Sequence, residues 1–342
     1  MTKLKKISYS LRDIMIIPAE ETYIDHRTDI YPFITICGRT SYPIFVAPSR
    51  SITDEDNYGM WIDKKVNPVI PMSVSERLSI EERIRLSYET FVSFSITEAE
   101  MLSYSEETPK YRMHICIDLP NGHLHRLLML CKSLKTKYDG NIEIMTGNVG
   151  NPEVYRRLCT HGISWIRTSI GQRNDGVGYG SATLLDELCE EKRKYLSKHE
   201  EFDASDNYTK IVADGCIDWY DDICKAIAIG ADAVMVGKMF AECDEASGKV
   251  LYCKSESDFI NNIGFFEDEL YGISEDLSDN LTPYRGYEDG NGTEPVIVKY
   301  PAEHFVSNVD AYLRSAMSYC NAYTLKDFSD EARLVIIGGS GN

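Results

Sequence analysis

Eight short apolar or β-branched runs recur along the middle of the chain, each followed by a turn and a helical pattern, and this repeat restricts the fold more than any other feature. The runs are Pro43–Pro48, Val66–Met72, Phe91–Ile96, Met113–Leu119, Asn141–Gly147, Ser164–Ile170, Lys210–Gly215 and Ala231–Gly237. Helical spacing follows in Ile80–Tyr88, where Ser79 is a plausible N-cap and Glu82 stands at the capping-box position. It recurs in Leu124–Leu134, Pro152–His161, Ser181–His199, Tyr220–Gly230 and Val309–Tyr323. Near-continuous apolar strands alternating with helices predict a closed parallel (β/α)8 barrel, a TIM barrel. The alternative is a doubly wound open sheet. That fold usually carries a glycine fingerprint after its first strand, and none follows Pro48.

The 342 residues are read as one barrel domain, 1–342. Residues 1–42 form an N-terminal extension, whose runs Ile14–Pro18 and Phe33–Cys37 suggest a hairpin across the barrel bottom. Residues 247–306 are an acidic, Tyr- and Gly-rich insertion after the eighth strand, and such a length is more often a functional flap than an idle loop. Arg333–Gly339 reads as a terminal strand.

The formal charge of −18 argues against nucleic acid or an anionic membrane as partner. It leaves room for an anionic small ligand in a pocket with local donors. No apolar run is long enough for a membrane span, and no leader peptide is read at the start. The ten cysteines form no CxxC pair and sit mostly in apolar runs, which predicts reduced thiols in a cytoplasmic protein and no metal site.

In such a barrel the site lies at the carboxyl ends of the strands. Gly215 after Asp214, and Gly237 before Lys238, let backbone N–H groups approach a phosphate, or merely make tight turns. The sixth strand runs into a glycine-rich loop with Gly171 and Arg173, which is either a phosphate cradle or a plain flexible loop. Asp118 ends the fourth strand and either binds a ligand hydroxyl or amide, or caps the next helix. In the insertion, Tyr271-Gly272-Ile273-Ser274 and Tyr284-Arg285-Gly286-Tyr287-Glu288 are the polar, glycine-marked spots. Glu288 is a candidate general acid there, against the reading of a solvated carboxylate.

These segments, in this order, resemble the IMP dehydrogenase/GMP reductase family, and the likeness spans nearly the whole chain. The most specific pieces are Ile211–Gly215, Ala231–Gly237 and Asp244–Gly248, with Ile117-Asp118, Asn121-Gly122, Gly147-Asn148-Val149 and the Tyr-Gly-x-Ser and Tyr-Arg-Gly motifs. The absence of an inserted regulatory domain pair points to the GMP reductase branch. The resemblance implies a purine nucleoside 5′-monophosphate (GMP or IMP) as ligand, NADPH (or NADH/NAD) as cofactor, and a homotetramer. It implies that Asp214 holds the ribose hydroxyls and that Gly215, Gly237, Lys238 and Tyr271 surround the phosphate. Gly272 and Ile273 would lie near the base. Asp118, Asn121, Gly122, Gly147 and Asn148 would face the cofactor. Glu288 would help release ammonia from the purine.

The chain departs from the family in three places. The loop after the sixth strand is short, and the stretch holding the family's attacking Cys, its Thr and a phosphate-binding Ser is missing. Cys216, the nearest thiol in the motif order, stands at the expected phosphate end and is a poor substitute. After the first strand, Pro48-Ser49-Arg50 replaces Asn-Met-Asp, and Lys238 stands where the family has a small residue. Lys238 with Arg50, Arg173 and Arg285 would then supply anion contacts. Three functions remain open: a GMP reductase-like oxidoreductase with an unknown nucleophile, a silent nucleotide-binding homologue, or a non-thiol reaction on a related nucleotide.

Overall fold

The structure, a computed structural model, describes residues 7–106, 109–168, 176–199, 208–263, 281–288 and 292–337. Eight parallel strands close into a barrel: Ile44–Val46, Asn67–Ile70, Phe91–Phe94, Met113–Asp118, Ile142–Gly147, Trp165–Arg167, Lys210–Asp214 and Ala233–Val236. They follow chain order around the barrel, and the eighth closes on the first through Val234–Ile44, Met235–Phe45 and Val236–Val46. Each of the eight expected runs is a strand, trimmed at its ends by turn residues.

The strands alternate between two cores, as the period of a pleated strand requires. Phe45, Val69, Phe91, Cys116, Met145, Trp165, Val212 and Ala233 point inward and fill the barrel. Ile44, Val46, Ile70, Val92, Ile115, Ile117, Ile144, Ile166 and Ile211 point outward against the helices. Packing on both faces is why the runs are almost wholly apolar. Phe45 meets Phe91 and Trp165 edge-on, with ring centroids 5.6 and 5.2 Å apart.

The helix over Ile80–Leu86 opens with the expected capping box. Ser79 N–H donates to Glu82 Oε2 at 2.8 Å, and Glu82 N–H donates to Ser79 Oγ at 3.3 Å. The helices His125–Lys137, Ser181–Leu196 and Tyr220–Ile229 match their sequence patterns, and Gly230 ends the last at φ +124°. The final long helix starts earlier than its apolar spacing suggests, at Ala302, because Pro301 supplies its N-cap position.

The N-terminal extension differs in part from the sequence reading. Ile34–Ile36 does form a hairpin, with Arg39–Ser41, and Ile36 packs into the barrel interior from the amino end. Ile14–Ile17 takes no part in it and instead pairs antiparallel with the C-terminal strand Arg333–Ile336. After the eighth strand, Val250–Cys253, Thr282–Glu288 and Thr293–Ile297 form a three-stranded antiparallel sheet. This sheet is the described part of the flap.

Candidate functional site

The carboxyl ends of the strands converge on a cavity of about 630 Å³. Three charged residues, each the last of its strand, make its floor. Arg167 ends the sixth strand, Asp118 the fourth and Asp214 the seventh. Arg167 Nη1 donates to Asp118 Oδ1 at 2.7 Å, and its Nε donates to Asp214 Oδ2 at 2.8 Å. Burial opposes the guanidinium's charge, but the two carboxylates outweigh it and raise its pKa further. Asp118 is therefore an ion-pair partner with its side chain 31% exposed to the cavity, and caps no helix.

Asn148 adds an acceptor to the wall. It is buried, it lines the cavity, and its Oδ1 has no hydrogen-bond partner. A buried carbonyl without a donor is costly unless a ligand supplies one.

The flap covers one side of the cavity mouth. Tyr287, Glu288 and Glu294 line it together with Ser49, Gly215, Gly237 and Lys238. Tyr287 lies so close over Gly237 that a Cβ there would overlap its hydroxyl, so the glycine is needed for the close approach. Arg50 is bound to Glu288, with Nε 2.8 Å and Nη2 2.7 Å from Oε1. Lys238 is bound to Glu294, which raises its pKa. The expected anion contacts Arg50 and Lys238 are thus held by the flap's own carboxylates.

Arg285 does not line the cavity. It is buried, and its guanidinium donates to four main-chain carbonyls: Gly248 at 2.8 Å, Ala241 and Cys243 at 2.6 Å, and Asp244 at 3.3 Å. It anchors the flap strand to the turn after the eighth strand, and burial lowers its pKa. Asn121, Gly122 and Gly147 also stand behind the wall. Gly122 backs onto the Asn148 carbonyl, and Gly147 onto Arg167, where a Cβ would lie 2.7 Å from the arginine's own. Gly171, Arg173, Tyr271, Gly272 and Ile273 lie outside the described residues.

Cys216 is an exposed thiol that lines the cavity. Burial of its sulfur, reinforced by Asp218, raises its pKa, the opposite of what an attacking thiolate needs. Cys116 lies beneath the floor, where burial pushes its thiol up to about 12. Among the described residues, no three His, Cys, Asp or Glu side chains come together as a metal site. No helix is long and apolar enough to cross a membrane.

The sequence reading missed Arg167. Its signal was present: one fixed charge inside the otherwise apolar run Ser164–Ile170. A buried arginine requires counter-charges, and the carboxylates ending neighbouring strands were the candidates.

Comparison with known proteins agrees with this geometry. The family model described as the IMP dehydrogenase / GMP reductase domain matches residues 113–342. A GMP reductase of Leishmania donovani is 29% identical over 238 residues, covering 66% of this chain and 46% of that protein. An inosine-5′-monophosphate dehydrogenase of Chlorobaculum tepidum is 28% identical over 238 residues, with the same coverage of 66% and 46%. Human GMP reductase 1 is 28% identical over 248 residues, covering 69% of this chain and 65% of that protein. The chain thus spans about half the length of the first two of these relatives.

Proposed function

Because the chain belongs to the IMP dehydrogenase/GMP reductase family, we propose that its carboxyl-end cavity binds a purine nucleoside 5′-monophosphate, GMP or IMP, and that it works as a GMP reductase-like oxidoreductase. The reaction is the reductive deamination of GMP. A hydride from NADPH enters at purine C2, the C2–N bond breaks, two protons are consumed, and IMP, NADP⁺ and ammonium result.

The observation that carries this reading is the Asp118–Arg167–Asp214 floor, where three strand ends present fixed charges to one cavity. Asp214 accepts from the ribose hydroxyls. Asp118 and the unpartnered Asn148 Oδ1 face the cofactor, whose carboxamide and hydroxyl donors suit two acceptors. Gly215, Gly237 and Lys238 take the phosphate, which must first displace Glu294 from Lys238. Glu288, once released by Arg50, supplies a proton to the departing amine. Gly171, Arg173, Tyr271, Gly272 and Ile273 keep the phosphate and base roles that the resemblance implies. The same resemblance extends the proposal to a cytoplasmic homotetramer.

A second reading, the silent nucleotide-binding homologue, is favoured by one observation. The sequence from Thr168 to Gly180 holds no cysteine, and the Cys216 thiol is pushed toward its neutral form.

Purified protein assayed for NADPH oxidation with GMP, and for NAD reduction with IMP, separates the two. Turnover supports the oxidoreductase, and turnover that survives Cys216→Ser removes this thiol from the chemistry. Saturable GMP or IMP binding without turnover supports the silent homologue. No nucleotide binding overturns the site reading altogether.

A further inference from the structure

The barrel has a second mouth. At the amino ends of the fourth to seventh strands a cavity of about 680 Å³ opens among Arg112, Lys135, Glu143, Trp165, Tyr208 and Lys210. Cations outnumber carboxylates there three to one, in a chain whose formal charge is −18. The carboxyl-end cavity has the reverse balance, with Arg167 and Lys238 against Asp118, Asp214, Asp218, Glu288 and Glu294.

The one carboxylate of the amino-end cavity is engaged. Glu143 accepts from Arg112 Nη1 at 3.1 Å and from Trp165 Nε1 at 3.2 Å. Lys135 has only a neutral partner: its Nζ donates to the Ile142 carbonyl at 2.8 Å, and no carboxylate among the described residues pairs with it. A half-buried ammonium resting on a carbonyl is a charge in need of an anion. Its place is shaped by the backbone. Gly162, at φ +74°, lies under the lysine stem, where a Cβ would come 2.6 Å from Lys135 Cγ. Any larger residue there would push the lysine aside. A second cation, Lys210 Nζ, sits 4.7 Å from the Tyr208 ring centroid and 5.6 Å from that of Trp165.

We propose that this amino-end cavity binds a small anionic metabolite through a phosphate or carboxylate group, with Lys135 as the main contact and Arg112 and Lys210 around it. The site lies at the opposite end of the barrel from the Asp118–Arg167–Asp214 floor, and it stands independently of the nucleotide reading. Charge balance makes it the better of the two mouths for an anion in this structure.

Titration calorimetry of the full chain with inorganic pyrophosphate, and separately with citrate, tests it. The titrations are done in a Lys238→Met background, so that the other cavity lacks its exposed cation. The expected result is saturable binding of at least one anion, weakened about tenfold or more by Lys135→Met and kept by Lys135→Arg. Pyrophosphate alone binding identifies a phosphate ligand, and citrate alone a carboxylate. Arg112→Gln, at a surface position where folding is not at stake, must also weaken binding. No saturable heat from either anion at millimolar concentration overturns the proposal. So does binding indifferent to both Lys135→Met and Arg112→Gln.

Discussion

A charge inside an apolar strand must be held by something, and Arg167 is held by Asp118 and Asp214. Replacing it with Met leaves two carboxylates facing each other without a counter-charge. Arg167→Met should cost about 3 kcal/mol of stability in urea unfolding. Arg167→Lys should recover only part of it, because an ammonium cannot reach both carboxylates with a planar fork. A null effect of the Met variant would remove the floor's electrostatic role. A second buried arginine makes a pH prediction. Arg83 binds Glu98, with Nη1 to Oε1 at 2.6 Å, on the outside of the third barrel strand. Its hydrogen bond, together with those from Ser95, lowers the Glu98 pKa to about 2 against burial. A lowered carboxyl pKa contributes stability fully present above the ordinary value near 4.5 and lost as pH falls toward 2. Glu98→Gln should therefore cost on the order of 2 kcal/mol at pH 6 and almost nothing at pH 2. Asp118, Asp214, Gly237 and Lys238 were legible in the sequence because they end strands whose apolar runs are plain. Which charge each would meet was not legible, since Arg167 lies 49 residues from Asp118 and 47 from Asp214.

The flap shows how an element can be recognised while its residues are misassigned. Its Tyr-Arg-Gly motif suggested an arginine aimed at a ligand, but Arg285 spends all its donors on main-chain carbonyls of 241–248. Arg285→Met leaves those carbonyls without donors and the flap strands without their anchor. Amide hydrogen exchange in 282–288 and 293–297 should rise at least tenfold, while the barrel strands keep their protection. Equal exchange in both proteins would show that Phe259 and Tyr284, packed 5.9 Å apart, hold the sheet unaided. The neighbouring carboxylates carry the functional consequence. Glu294 occupies Lys238, so nucleotide phosphate and flap carboxylate compete for one ammonium. Glu294→Gln should raise nucleotide affinity several-fold, and Lys238→Ala should lower it. Unchanged affinity in both variants would place the phosphate elsewhere. The strands were readable because they are buried on both faces. The pairing of Ile14–Ile17 with Arg333–Ile336 was not, because nothing local in either segment names a partner some 320 residues away.

Across the whole molecule the charge sum of −18 conceals two mouths of opposite local sign. At physiological salt the Debye length is about 8 Å, so an anion entering either mouth responds chiefly to the residues lining it. At the amino end these are Arg112, Lys135 and Lys210 against Glu143, and added salt screens a net attraction. At the carboxyl end five carboxylates face two cations, and added salt screens a net repulsion. Salt also loosens the Lys238–Glu294 pair that a phosphate must break. The two sites should therefore answer ionic strength in opposite senses. Between 50 and 200 mM KCl, pyrophosphate or citrate affinity at the amino-end cavity should fall several-fold. GMP or IMP affinity at the carboxyl-end cavity should hold or rise over the same range. Parallel titrations across that range check both at once, and a common fall at both sites would mean that the flap carboxylates leave the cavity before the nucleotide arrives.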